Sequence, residues 1–175
     1  MTLRNLIITL TGGLVAGIIY YSTSVSGSRT GALYAMVHAY ESNRILPAAE
    51  RFNRYLPLLK GKSVAIFANQ TSVAGSRHIV DALQSNGINI KKIFSPEHGF
   101  RGTADAGEKV GNYMDAQTGI PVVSLYGSKR KPSAEDVKDI DVLVFDIQDV
   151  GVRFYTYISS LQEFMESAIA LRKPL

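Results

Sequence analysis

Two short stretches hold most of the side chains that can do chemistry. The first is Phe94-Ser95-Pro96-Glu97-His98-Gly99-Phe100-Arg101-Gly102, in which an acid and an imidazole follow a proline and are succeeded by two glycines. Pro96 cannot continue a ladder and glycine favours turns, so Glu97 is expected in a loop just past the strand-like run Ile90 to Phe94. The second is Asp146-Ile147-Gln148-Asp149-Val150-Gly151-Val152-Arg153-Phe154-Tyr155-Thr156-Tyr157, which gathers acids, an amide, an arginine and tyrosines behind the most apolar run of the chain. Glycoside hydrolysis needs one acid to protonate the leaving oxygen and a second group to help water or stabilise the sugar cation. Glu97, beside His98, is the candidate acid, with Asp146, Asp149 and Glu108 as candidate partners. Each has a structural alternative: Glu97 caps its turn or pairs with Arg101, Asp149 pairs with Arg153, and Asp146 ties down its own turn.

Other chemistries find less support. The chain has no cysteine, which removes thiol nucleophiles, disulfides and cysteine-zinc sites, and it has no Gly-x-Ser-x-Gly elbow. Gly61-Lys62-Ser63 imitates the tail of a phosphate-binding loop, yet it precedes its strand and Leu56 stands where the first glycine belongs. The turn Asn69 to Gly75 lacks a dinucleotide fingerprint, so no cofactor is expected. Glu97, His98, Asp146 and Asp149 have no metal-ligand spacing, so no metal is expected either. The net charge of +4 resides in residues 1–60, while 61–175 carry thirteen basic and thirteen acidic residues. A stripe for nucleic acid is therefore not expected, and Lys129-Arg130-Lys131 reads as a solvated loop.

The elements that must position these residues alternate in period. Phe52, Tyr55, Leu56 and Leu59 share a helical face within 48–59, and Ser63 to Ala68 reads as a strand buried on both faces. A helix capped by Ser76 carries Ile79, Val80 and Leu83 until Asn86-Gly87. Strands follow at Ile90–Phe94, Pro121–Tyr126 and Val142–Asp146, with a capped turn at Ser133. A last helix, Tyr157 to Leu171, places Leu161, Phe164, Met165, Ala168 and Ile169 on one face. This rhythm predicts an α/β fold, a Rossmann-like parallel sheet covered by helices. In such a sheet Asn69, Glu97, Tyr126 or the residues near it, and Asp146 with Gln148 and Asp149 all emerge on one rim, where open α/β sheets bind ligands. The glycine-rich stretch Phe100–Ile120 is too long for an ordinary connection and is expected to form a flap beside Glu97.

The N-terminus is organised differently. Arg4 precedes Leu6 to Tyr21, sixteen residues without a charge, and then a run of small polar residues. That is the layout of a signal peptide, with an uncleaved membrane anchor or a buried core helix as alternatives. The expected organisation is a signal or anchor over 1–24, a linker over 25–46 in which His38 stands alone, and a domain over 47–175.

Five motifs in order, Ala68–Val73, Phe94–Gly102, Ala106–Val110, Ser124–Gly127 and Phe145–Tyr157, resemble those of the bacterial exo-β-N-acetylmuramidase family. The resemblance implies a Rossmann-like domain followed by a second domain, with the pocket in the cleft between them. It implies removal of terminal N-acetylmuramic acid from peptidoglycan fragments, a muropeptide or disaccharide, in the bacterial cell envelope, periplasmic or extracellular. It also implies that Glu97 is the catalytic acid and that Asn69, His98, Arg101, Asp146, Gln148, Arg153 and Tyr157 line the cleft. Arg101 or Arg153 would then meet the lactyl carboxylate of muramic acid. The chain stops at Lys173-Pro174-Leu175, where another strand is due, so the second domain is expected to be missing. The alternative is a truncated sugar- or peptidoglycan-binding module without turnover.

Overall fold

A computed structural model describes residues 45–102 and 111–175. The putting-together of the domain starts from Ser63–Ala68 (β1), whose side chains from Val64 onward are no more than 1% exposed. A run that apolar can only sit with sheet on both sides and helices above and below. It does so, pairing in parallel with Asn89–Ser95 (β4) on one side and with Val142–Asp146 (β7) on the other. Pro121–Ser124 (β6) extends the sheet parallel to β4, and the two-residue Tyr113–Met114 (β5) closes that edge antiparallel to β6. The order is β5-β6-β4-β1-β7, so the mixed α/β fold has a mainly parallel central sheet.

Alternation along the strands divides the core. Val64, Ile66 and Ala68 face one layer with Ile79, Val80, Leu83 and Phe100, against which Phe52, Tyr55 and Leu56 of helix Phe52–Leu59 (α1) are packed. Ala65 and Phe67 face the other layer with Phe94, Leu143 and Phe164. There Phe67 stacks on Phe145 at 5.0 Å, and Phe164 of helix Tyr157–Ala170 (α4) sits against Phe67, Phe94 and Phe145. A bulge sets the phase of β4: Val64 pairs with Ile90 but Ala65 pairs with Lys92. The extra residue puts Ile90 and Ile93 in the same layer and turns Phe94 to the other.

Several details differ from the sequence expectation. Val73–Ala74 (β2) and Arg77–His78 (β3) form a tiny hairpin, with Gly75 at positive φ between them. Helix Ile79–Ser85 (α2) is consequently capped by His78 and not by Ser76, because the hairpin uses Ser76 in its turn. The first helix begins only after a 3-10 turn at Ala48–Glu50 and a break at Arg51. β6 ends at Ser124, two residues early. In α4 Met165 and Ile169 are 47% and 77% exposed, since the aromatic layer is filled by Phe164 and Ala168. Lys129-Arg130-Lys131 is a surface loop, but Lys129 reaches back to Asp136 at 2.6 Å, the residue that closes the capping box of helix Ala134–Val137 (α3). Among the described residues no helix is long and apolar enough to cross a membrane, and Leu6–Tyr21 and Glu108 lie outside them.

Candidate active site

The parallel register brings four strand ends to one rim. Phe67 lies between Phe94 and Phe145, and Ala68 is level with Asp146, so the next residues of β1, β4 and β7 leave the sheet side by side. Ser95 pairs with Ser124, and Leu125 N–H extends the ladder by donating to the Ser95 carbonyl at 2.8 Å.

Glu97 occupies the turn that follows β4. Gly99 N–H donates to the Pro96 carbonyl at 3.2 Å, and His98, at the third position of this turn, has φ of +69°. A non-glycine residue in the left-handed region is uncommon, and such strain gathers at functional sites. Glu97 and His98 are half-buried, while Phe100 behind them is fully buried against the His78 ring at 4.5 Å. The Tyr126 hydroxyl donates to Glu97 Oε1 at 2.8 Å. Glu97 therefore does not take the Arg101 guanidinium as its partner.

Arg101 is committed elsewhere. Its Nη1 and Nη2 donate to the two oxygens of Asp81 at 3.1 and 3.0 Å, and its Nε and Nη2 to those of Asp115 at 3.1 and 2.9 Å. Hydrogen bonds to Asp115 and Asp81 raise the guanidinium still further above its ordinary value. Burial pushes the Asp115 carboxyl up, but the bonds from Arg101 and Thr118 outweigh it and hold it below the usual range. Arg101 thus pins the loop carrying Glu97 to α2 and to the turn before β6.

Asn69, fully buried, builds the neighbouring corner. Its Oδ1 accepts the Thr71 amide and hydroxyl at 2.9 and 2.7 Å, and its carbonyl faces His78 Nε2 at 2.8 Å. His78 Nδ1 accepts Val80 N–H at the head of α2, which assigns the proton to Nε2. Burial lowers the His78 pKa, in keeping with a neutral ring. Ser72 Oγ donates to the Asp146 carbonyl and Gln148 N–H donates to Thr71 Oγ1, so the turns after β1 and β7 are stitched together.

Tyr157, at the start of α4, reports what surrounds it. Its hydroxyl is raised chiefly by burial, the Asn69 side chain offsets part of that rise, and Tyr155, Glu97 and Asp149 add smaller upward pushes. Asn69 Nδ2 nonetheless reaches no partner at good hydrogen-bond geometry. Glu97, Asp149, Asn69 and Tyr157 accordingly share one electrostatic neighbourhood. Asp149 Oδ1 accepts Gly151 N–H at 2.7 Å, and the expected Asp149–Arg153 pair does not form: exposed Arg153 makes no ion pair among the described residues. Gln148 is exposed on the same segment.

Asp146 turns toward the α1 side. Burial raises its carboxyl, burial and then the charge of Asp146 raise the hydroxyl of Tyr55 to about 12, and Asp146 lines an apolar cavity of about 660 Å³ beside β7 with Tyr55, Leu59, Ile79 and Leu83. Glu97 does not line that cavity. Among the described residues the buried side-chain atoms without a hydrogen-bond partner are Asn69 Nδ2, Ser95 Oγ and Asp146 Oδ2. All three lie at the carboxyl ends of β1, β4 and β7. Native proteins leave few such atoms, and each needs a water or a ligand group to satisfy it.

The match to known proteins falls on this rim. The family model described as exo-beta-N-acetylmuramidase NamZ, N-terminal, matches residues 64–175. The chain belongs to this family. It is 49% identical over 116 residues to peptidoglycan beta-N-acetylmuramidase NamZ of Bacillus subtilis (strain 168), covering 65% of this chain and 28% of that relative. Two crystal structures of DUF1343 family proteins from Bacteroides fragilis are similar, with TM-scores of 0.60 and 0.58 at 42% and 41% identity. They cover 71% and 69% of this chain and 31% and 30% of theirs. The chain thus spans under a third of the length of these NamZ relatives. Within the NamZ match, Thr71, Ser72, His78, Asp81 and Asp115 were not anticipated as site-building residues, and Tyr126 was expected on the rim but not as the partner of Glu97. For Asp81 and Asp115 the available signal was Arg101 itself, a cation in need of anions.

Proposed function

We propose that this NamZ-family chain takes part in removing terminal N-acetylmuramic acid from peptidoglycan fragments, with Glu97 as the general acid. The observation that carries the reading is the position of Glu97: on a strained turn past a parallel strand, hydrogen-bonded by Tyr126, and close enough to act on Tyr157 beside Asn69. Glu97 gives its proton to the glycosidic oxygen as the sugar carbon departs. Asp149 is better placed than Asp146 as the second carboxylate, because Asp149 and Glu97 both act on the Tyr157 hydroxyl whereas Asp146 faces α1. Arg153, exposed on the same segment, supplies the cation for the lactyl carboxylate, since four of the Arg101 N–H groups are held by aspartates. His98 and Gln148 complete the wall.

The same reading includes a Rossmann-like assignment of 47–175, a second domain closing the cleft, and a cell-envelope location reached through a signal or anchor in 1–24. A chromogenic N-acetylmuramic acid glycoside tests it: wild type releases the chromophore and Glu97→Gln does not. Full release by the variant removes Glu97 from the mechanism. A second reading is a peptidoglycan-binding module without turnover. Saturable binding of a muropeptide with no release by wild type selects it.

A further inference from the structure

We propose that Tyr126 is a positioning residue of Glu97, its hydroxyl holding carboxyl Oε1 as the acid gives up its proton. The proposal rests on the reading of Glu97 as the acid and goes beyond it by naming what governs that acid.

The backbone leaves Tyr126 little choice of place. Leu125, 6% exposed, is anchored in the aromatic layer, and its N–H continues the β4–β6 ladder to Ser95. Tyr126 therefore leaves the sheet two residues beyond β6, just as Glu97 stands two residues beyond β4, and Gly127 at φ +81° turns the chain away. A phenol has a single proton to donate, and here it goes to Glu97 Oε1 at 2.8 Å.

In the reaction the carboxyl O–H bond breaks as a new O–H bond forms to the glycosidic oxygen. The bond between that oxygen and the anomeric carbon breaks, its electron pair staying on oxygen, and Glu97 is left as a carboxylate. A hydrogen bond to a carboxylate is stronger than one to the neutral acid, so the Tyr126 contact tightens as charge develops. Only interactions that strengthen toward the transition state accelerate the step. The reciprocal effect is present too: the bond to Glu97 raises the Tyr126 hydroxyl above its ordinary value. Tyr126 is 38% exposed, so losing its hydroxyl leaves the core intact.

The test compares wild type, Tyr126→Phe and Glu97→Gln as full chains by two readouts. Ring-carbon NMR of labelled tyrosine, with the Tyr126 signal assigned by its loss in Tyr126→Phe, follows tyrosine ionisation without substrate. In Glu97→Gln the Tyr126 signal should titrate at lower pH than in wild type. On the chromogenic glycoside Tyr126→Phe should lose roughly 10- to 100-fold in kcat with KM changed less than about twofold. An unmoved Tyr126 titration, or an unchanged kcat in Tyr126→Phe, overturns the positioning role while inactivity of Glu97→Gln still supports the acid. Full activity of Glu97→Gln overturns the acid, and a wild type without turnover overturns both.

Discussion

Replacing Arg101 by alanine should unfold this domain far more readily than the loss of a surface arginine would. The Arg101 side chain is 23% exposed and those of its partners Asp115 and Asp81 are 6% and 18% exposed, so the ion pairs are largely shielded from water. Removing one member of a buried, hydrogen-bonded charge set costs about 3–5 kcal/mol, because the remaining charges are left uncompensated. Discounting for the exposed edge of the guanidinium gives about 3 kcal/mol. With a urea dependence of about 2 kcal/mol/M for a domain of this size, the midpoint should fall by about 1.5 M. Lysine, which keeps the charge but not the fork, should recover less than half of the loss. Adding Asp115→Asn to Arg101→Ala should restore about 1–2 kcal/mol, since it removes the stranded carboxylate. The pH dependence has a definite sign. The folded-state pKa of Asp115 is depressed, so its contribution is present above the ordinary carboxylate range and is lost as pH falls through the folded value. The gap between wild type and Arg101→Ala should therefore narrow in acid. A urea midpoint unchanged by Arg101→Ala, with only substrate preference altered, would refute the assignment of Arg101 as a pin and restore it as a carboxylate ligand.

Other perturbations probe the rim at separate points. His98→Gly places at φ +69° the residue that tolerates it, and should stabilise the domain by about 0.5–1 kcal/mol while reducing turnover. Unchanged turnover would take the imidazole out of the cleft. Asp146→Asn should stabilise at neutral pH and have little effect in acid: burial raises the folded-state pKa, so the cost of the charged form is present above that value and absent below the ordinary one. Thermal melts across pH decide this, and a variant less stable than wild type at neutral pH contradicts it. His78 has a lowered folded-state pKa, so its contribution is complete above the ordinary histidine range and fades as pH falls below it. His78→Gln should flatten that acid limb of the stability profile, and an unaltered limb would mean that the ring does not cap α2 as the neutral form.

How much of this was legible in the residues depended on range. The central strands were plain because Val64 to Ala68 and Val142 to Phe145 are apolar without interruption, and only a doubly covered sheet accommodates such runs. From the parallel sheet followed the shared rim of Asn69, Glu97, Tyr126 and Asp146. The small hairpin at 73–78 was missed because two-residue strands carry no periodic signal, and with it went the cap on α2. The face of α4 was drawn too wide, since Met165 and Ile169 satisfy helical spacing without finding core to fill. Pairings were the least legible. Arg101 had Glu97 within four positions and chose aspartates 20 and 14 residues away, and Asp149 bonded the nearby Gly151 amide instead of Arg153. Local spacing proposes partners, but tertiary geometry selects among them.

The strand order has a consequence for how the chain reaches this state. β1 is made first, yet it lies inside the sheet between β4 and β7, and the Ser63 amide must wait for an Asp141 carboxylate 78 residues later. No early hairpin can shelter it, because parallel neighbours require long crossovers. A growing chain thus carries this apolar strand open along one edge until the Val142 strand has emerged from the ribosome, which makes the interval between those two moments the period when this polypeptide depends most on chaperones.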